Sequence, residues 1–166
     1  MKLILIDSKM GSETDIGIPP AENHRSPKVQ TKGISGPAKT VSKKTGTILF
    51  IDDNIPNIEL VEEILSGHRP GIRFIVGMNG RQGAKLAMEL VPGLILLDLD
   101  LPGVPGYKLL SDLSANEKTK LIPVVIISSD TFSGQQEKLM KAGASDYLAK
   151  PLDVAAFLLM VDKWLK

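Results

Sequence analysis

After residue 46, apolar and polar positions follow two rhythms in turn. Short apolar runs at 48–51, 72–76 (interrupted only by Arg73), 94–97 and 124–127, and a shorter one around Tyr147-Leu148, have the length of buried strands. Between them the spacing changes to a helical period. Ile58, Val61 and Leu65, with Leu60 and Ile64 beside them, predict a first helix for which Gly67 reads as the stop signal. Ala84, Ala87, Leu90 and Val91 predict a second, and Leu109, Leu110 and Leu113 a third. Residues 134–142 predict a shorter, polar fourth closed by Gly143, and Val154, Phe157, Val161 and Leu165 a last one. This is a (βα) unit repeated five times. Strands that are apolar throughout need cover on both faces, and right-handed crossovers place helices on the two sides of a parallel sheet. The expected architecture is doubly wound α/β, in which ligands bind outside the carboxyl ends of the strands.

The first 46 residues follow neither rhythm. From Ser8 to Gly46 the chain is rich in Gly, Pro, Ser, Thr and Lys, without an aromatic residue, and cannot bury enough apolar surface to offset the entropy of ordering itself. Residues 1–46 are expected to be a flexible tail and 47–166 a folded domain. Leu3-Ile4-Leu5-Ile6 is the exception, a β-prone run that could add to a sheet edge, dock on a partner or stay loose.

Composition adds little beyond this. The net charge of +1 gives no global attraction to nucleic acid or membrane, although residues 1–44 carry eight Lys/Arg against four Asp/Glu and the remainder twelve against fifteen. The acidic part is the folded part. The chain has no cysteine, which excludes disulfides and thiolate chemistry. The start, MKLILIDSKM, lacks the apolar core of a signal peptide, and no run approaches the ~20 apolar residues of a spanning helix. A cytoplasmic location, with no membrane and no direct nucleic-acid partner, is the expectation.

The chemistry gathers at the strand ends. The first strand runs into Asp52-Asp53, the third into Asp98, the fourth into Ser128 and the fifth into Lys150-Pro151. Three carboxylates converging at one sheet edge call for a cation, and oxygen-only donors suit Mg²⁺. Mg²⁺, the Lys150 ammonium and the Ser128 hydroxyl can each take one oxygen of a transferring phosphoryl group. The nucleophile would then be a carboxylate, and Asp98 is the candidate because it ends the central strand.

The segments TILFIDDN, LILLDLDLPG, IPVVIISS and GASDYLAKP resemble, in order and spacing, the four signature segments of response-regulator receiver domains, over about residues 47–166. The resemblance implies a flavodoxin-like sheet in the order 2-1-3-4-5. It implies Asp98 as the phosphorylated residue, Asp53 as a direct Mg²⁺ ligand, Asp52 as an acidic partner acting largely through water, and the backbone carbonyl of Asp100 as a further ligand. Ser128 would be the switch hydroxyl, Lys150 the phosphate-binding lysine joined to Pro151 by a cis peptide, and Tyr147 the aromatic that rotates inward on activation. A histidine kinase or phosphotransfer protein would be the donor and a target protein the listener. The chain would be no enzyme beyond assisting its own phosphorylation and dephosphorylation. Its last predicted helix ends with the sequence at Lys166, so output is expected through protein contact, onward phosphotransfer or the tail.

Some positions depart from the common pattern. Asp100 and Asp130 lie two residues after the phosphoacceptor and the switch hydroxyl, and Pro105 replaces the usual acid after the third strand. A pseudo-receiver scaffold is the alternative reading, but every group the chemistry needs is present. A haloacid-type phosphatase, whose DxD pattern Asp98-Leu99-Asp100 superficially matches, is disfavoured by the earlier acidic pair and the lack of a cap domain. His24 and His68 read as surface histidines. Trp164 either closes the core or joins Leu159 and Met160 on a partner-binding surface.

Overall fold

The computed structural model describes residues 46–129 and 133–165. Its five strands are β1 (Gly46–Ile51), β2 (Ile72–Gly77), β3 (Leu94–Asp98), β4 (Val124–Ser128) and β5 (Asp146–Ala149). They form one parallel sheet in the order β2-β1-β3-β4-β5, the order and class read from the sequence. The helices are α1 (Ile55–His68), α2 (Gly80–Leu90), α3 (Gly106–Ala115), α4 (Ser133–Lys141) and α5 (Val154–Trp164).

Period-two alternation along each strand sorts the apolar residues into two cores. Ile48, Phe50, Phe74, Leu96, Val125 and Ile127 face α1 and α5, where they meet Val61, Leu65, Phe157 and Val161. Leu49, Ile51, Ile75, Leu97 and Ile126 face the other way, towards Leu86 of α2, Leu110 of α3 and Leu139 of α4. Each of these side chains is worth about 1.5–3 kcal/mol when fully buried. That is why the strands carry no polar alternation. β5, at one edge, is half-buried along most of its length, which accounts for its weaker apolar signal.

Three helices start on side-chain caps: Asn54 accepts from Asn57 N–H, Asn79 from Gln82 N–H and Asp153 from Ala156 N–H. Helix α2 also requires a glycine, because a Cβ at Gly83 would lie 2.5 Å from Ile51 Cδ1 and push the helix off the sheet. Gly143 ends the turn after α4 at φ +109°, where a Cβ would run into the Ser114 hydroxyl.

The helix ends differ from the sequence reading in three places. Gly67 lies inside the last turn of α1 rather than ending it, and the cap falls on Arg69. The Arg69 guanidinium is held bidentately by Asp162 of α5, with Nε–Oδ1 at 3.0 Å and Nη2–Oδ2 at 2.6 Å, so a tertiary ion pair sets the end point. Val91 is not a core residue of α2 but its exposed C-cap, in the left-handed region at φ +44°. Val154 is exposed in the first turn of α5, before that helix turns its apolar face to the sheet.

Trp164 belongs to the core side. Its ring packs against the α1/α5 cluster, and its indole N–H donates to Asp146 Oδ2 at 2.7 Å, tying the end of α5 to the start of β5. Met160 is buried with it, whereas Leu159 is exposed. His68 is half-buried, its ring nitrogen 3.0 Å from the Ile64 carbonyl of its own helix. The readings made for residues 1–45, including the tail, residues 3–6 and His24, lie outside the described residues. So does Asp130.

Candidate functional site

Parallel strands bring their carboxyl ends to one edge, and β3 lies between β1 and β4 at the centre of the sheet. The residues that end or follow these strands therefore meet. Asp98 ends β3, Asp52 follows β1, Ser128 ends β4 and Lys150 follows β5. Asp52, Asp98 and Ser128 are almost completely buried, at 0%, 3% and 1% exposure. Three polar side chains buried next to two apolar cores are costly unless they satisfy one another.

The Lys150 ammonium supplies much of that satisfaction. It donates to Asp98 Oδ2 at 2.7 Å and to Asp52 Oδ2 at 3.4 Å. Burial works against the charge on Lys150, but the hydrogen bond to Asp98 and the charges of both carboxylates outweigh it, and its pKa stands above the ordinary lysine value. Burial pushes the Asp52 carboxyl up, the negative charge of Asp98 adds to this, and the net shift is upward. The Asn54 N–H, the Asn57 amide and Lys150 oppose it. Asp98 Oδ1 accepts from the Asp100 N–H at 3.3 Å, which orients the carboxylate from the turn beyond β3.

Of the three carboxylates expected at this edge, Asp52 and Asp98 meet in the buried pocket around Lys150. Asp53 is exposed, and among the described residues no three His, Cys, Asp or Glu side chains group so as to hold a metal ion. Consecutive residues of extended chain point to opposite sides, so Asp52 turns inward while Asp53 turns to solvent. Asp52 and Asp98 suit Mg²⁺ by donor chemistry, because that ion uses one or two carboxylates and keeps several waters, and the exposed Asp53 adjoins Asp52 in the chain.

The remaining sequence-predicted residues are close by. The Lys150–Pro151 peptide is cis, and the Lys150 N–H donates to the Ser128 carbonyl at 2.9 Å. The Tyr147 ring packs half-buried against the α2/α3/α4 core, its hydroxyl at a long 3.5 Å from the same Ser128 carbonyl. Backbone and ring thus converge on the end of β4. Asp100 is exposed beside Asp98.

Two residues went unnoticed in the sequence. Asn54 donates its backbone N–H to Asp52 Oδ1 at 2.7 Å, and Asn57 donates its side-chain amide to Asp52 Oδ2 at 3.0 Å. The spacing Asp-x-Asn-x-x-Asn was a readable signal, since the second asparagine falls one helical turn inside the helix that the first one caps. Asn57 also lines a groove of about 450 Å³, with Leu60, Ser129, Lys150 and Leu152 among its walls.

The response regulator receiver domain family matches residues 48–162. The chain belongs to that family. This receiver domain is 28% identical over 121 residues to the polar-differentiation response regulator DivK of Brucella ovis, covering 73% of the chain and 97% of the relative. Among solved structures it resembles the receiver domain of sensor histidine kinase PA1611 from Pseudomonas aeruginosa, which has a magnesium ion coordinated in its active site cleft. That match has 28% identity and a TM-score of 0.66, and covers 74% of this chain and 98% of that one. A putative response regulator from Chloroflexus aurantiacus matches at 27% identity and a TM-score of 0.68, over 74% and 98% of the two chains. The chemotaxis response regulator CheY4 of Vibrio cholerae, at 20% identity and a TM-score of 0.67 over 74% and 100%, shares the fold. Among the described residues of this receiver domain, no helix is long and apolar enough to cross a membrane.

Proposed function

We propose that this receiver domain accepts a phosphoryl group on Asp98 and signals by protein contact. The observation that carries the reading is the Lys150 ammonium between two buried carboxylates, 2.7 Å from Asp98 and 3.4 Å from Asp52, at the carboxyl edge of the sheet. An ion pair buried there contributes little to stability for its desolvation cost. It does hold a cation ready for a dianionic group.

In the proposed reaction a carboxylate oxygen of Asp98 attacks the phosphorus of a phosphohistidine on a histidine kinase or phosphotransfer protein. The O–P bond forms, the P–N bond breaks, and its electron pair returns to the imidazole. Asp52, Asp53, Asp98 and the Asp100 carbonyl would hold Mg²⁺, which supplies charge neutralisation for the incoming phosphoryl oxygens. Lys150 passes from the carboxylate to a phosphoryl oxygen. Ser128 donates to another, and Tyr147, already within reach of the Ser128 carbonyl, follows the end of β4 inward. The chain is no enzyme in this reading beyond assisting its own phosphorylation and dephosphorylation, and it works in the cytoplasm on a target protein.

The test is mass spectrometry after incubation with acetyl phosphate and Mg²⁺. One acid-labile phosphoryl group is expected on the wild type and none on Asp98→Asn. An undiminished adduct on that variant would place the nucleophile elsewhere.

A further inference from the structure

We propose that Asn57 is a positioning residue of the acidic site, holding the Asp52 carboxylate in the orientation that receives a divalent cation. The inference rests on the phosphoacceptor reading for its purpose and on hydrogen-bond geometry for its content. Asp52 Oδ1 is fixed by the Asn54 N–H at 2.7 Å, but one bond leaves the carboxylate plane free to turn. The Asn57 amide fixes the second oxygen at 3.0 Å. Asn57 is itself fixed, because its backbone N–H donates to the Asn54 side chain at 3.2 Å and to the Asn54 carbonyl at 3.1 Å. Asp52, Asn54 and Asn57 thus close a ring that makes the first turn of α1 part of the site.

The same oxygen of Asp52 faces two donors, and their difference matters. Lys150 is nearer to Asp98 than to Asp52, 2.7 Å against 3.4 Å, while Asn57 is the nearer donor to Asp52 Oδ2. A neutral amide satisfies a buried carboxylate without cancelling its charge. Without that amide, Asp52 Oδ2 turns to the ammonium, the 3.4 Å contact with Lys150 tightens, and an incoming cation must compete with a stronger ion pair. Groups that orient metal ligands typically change metal affinity about 10–100-fold when removed.

Two variants separate the amide from its volume: Asn57→Ala removes both, and Asn57→Leu keeps the bulk without the donor. Mg²⁺ is titrated calorimetrically onto unphosphorylated protein, with far-UV circular dichroism as the folding check. Each variant is expected to raise the Mg²⁺ Kd about tenfold. The acetyl phosphate reaction should then need correspondingly more Mg²⁺, yet reach a plateau rate within about twofold of wild type, because Asp98 and Lys150 are untouched. Wild-type affinity in Asn57→Leu would show that packing rather than the donor matters, and would overturn the proposal. So would a lower plateau with unchanged Mg²⁺ dependence. A wild-type chain that binds Mg²⁺ but forms no acyl phosphate would defeat the phosphoacceptor reading, while the Mg²⁺ titrations would still decide the role of Asn57.

Discussion

Lys150 and Asp98, 52 positions apart in sequence, meet at 2.7 Å through side chains that are 18% and 4% exposed. The ammonium separates Asp98 from Asp52, whose like charges would otherwise face each other in a poorly hydrated pocket.

Lys150→Ala is therefore expected to destabilise the metal-free protein by on the order of 2 kcal/mol, the scale for leaving a buried charged acceptor without its donor. Added Mg²⁺ should recover more stability in the variant than in wild type, since the ion replaces the missing charge. Thermal unfolding with EDTA and with Mg²⁺ measures both effects. Lys150→Ala should weaken signalling more than Mg²⁺ binding, whereas Asp53→Ala should weaken Mg²⁺ binding first, and phosphorylation only as far as the bound ion is lost.

Asp100 is exposed, and its N–H contacts Asp98, so its carboxylate borders the approach of water to a phosphoryl-Asp98. Because Mg²⁺ and Lys150 would neutralise much of the phosphate charge, orientation of the attacking water should outweigh repulsion. Asp100→Asn is expected to lengthen the phosphoryl lifetime about threefold or more. The measurement is loss of the adduct with time after donor removal. Faster loss in the variant would rule out orientation by this carboxylate.

Asp146 accepts from the Trp164 indole at 2.7 Å, from Lys163 at 2.9 Å and from the Tyr147 N–H at 3.0 Å. Burial works against its charge, but these donors outweigh it and hold the carboxyl below its ordinary value of 3.8. A carboxyl lowered in the folded state stabilises fully above its unfolded pKa and loses that contribution as pH falls from 3.8 towards the folded value. Asp146→Ala should cost about 1 kcal/mol at neutral pH and progressively less as the solution is acidified through that window. Unfolding followed by the fluorescence of Trp164, the only tryptophan, at several pH values tests the sign.

The strands and the fold class were legible in the sequence because burial on both faces forces apolar runs, which only the exposed Arg73 of β2 interrupts, and helices covering those faces force the intervening period. Asp98, Ser128 and Lys150 were legible for a related reason. A parallel sheet brings the ends of its strands together whatever the side chains are, so a residue ending such a run is already placed. Helix limits were less visible. Gly67 is a sound local stop signal, but α1 runs on to His68 because Arg69 is held by Asp162, a partner 93 positions away.

Within the site, the sequence determined which groups are present and at which edge, since that depends only on chain order and strand direction. Tertiary structure decided which carboxylates turn inward and what holds them. Asp52 and Asp53 are identical in chemistry and adjacent in sequence, yet one is fully buried and the other exposed. The difference arises from extended-chain alternation at the end of β1 and from the donors of Asn54, Asn57 and Lys150 that only folding brings around Asp52. Trp164 was undecided for the same reason, because Asp146, 18 positions away, is the acceptor that fixes it to the core side. Local pattern records what a residue prefers, while a buried charge is settled by partners that the chain supplies from a distance.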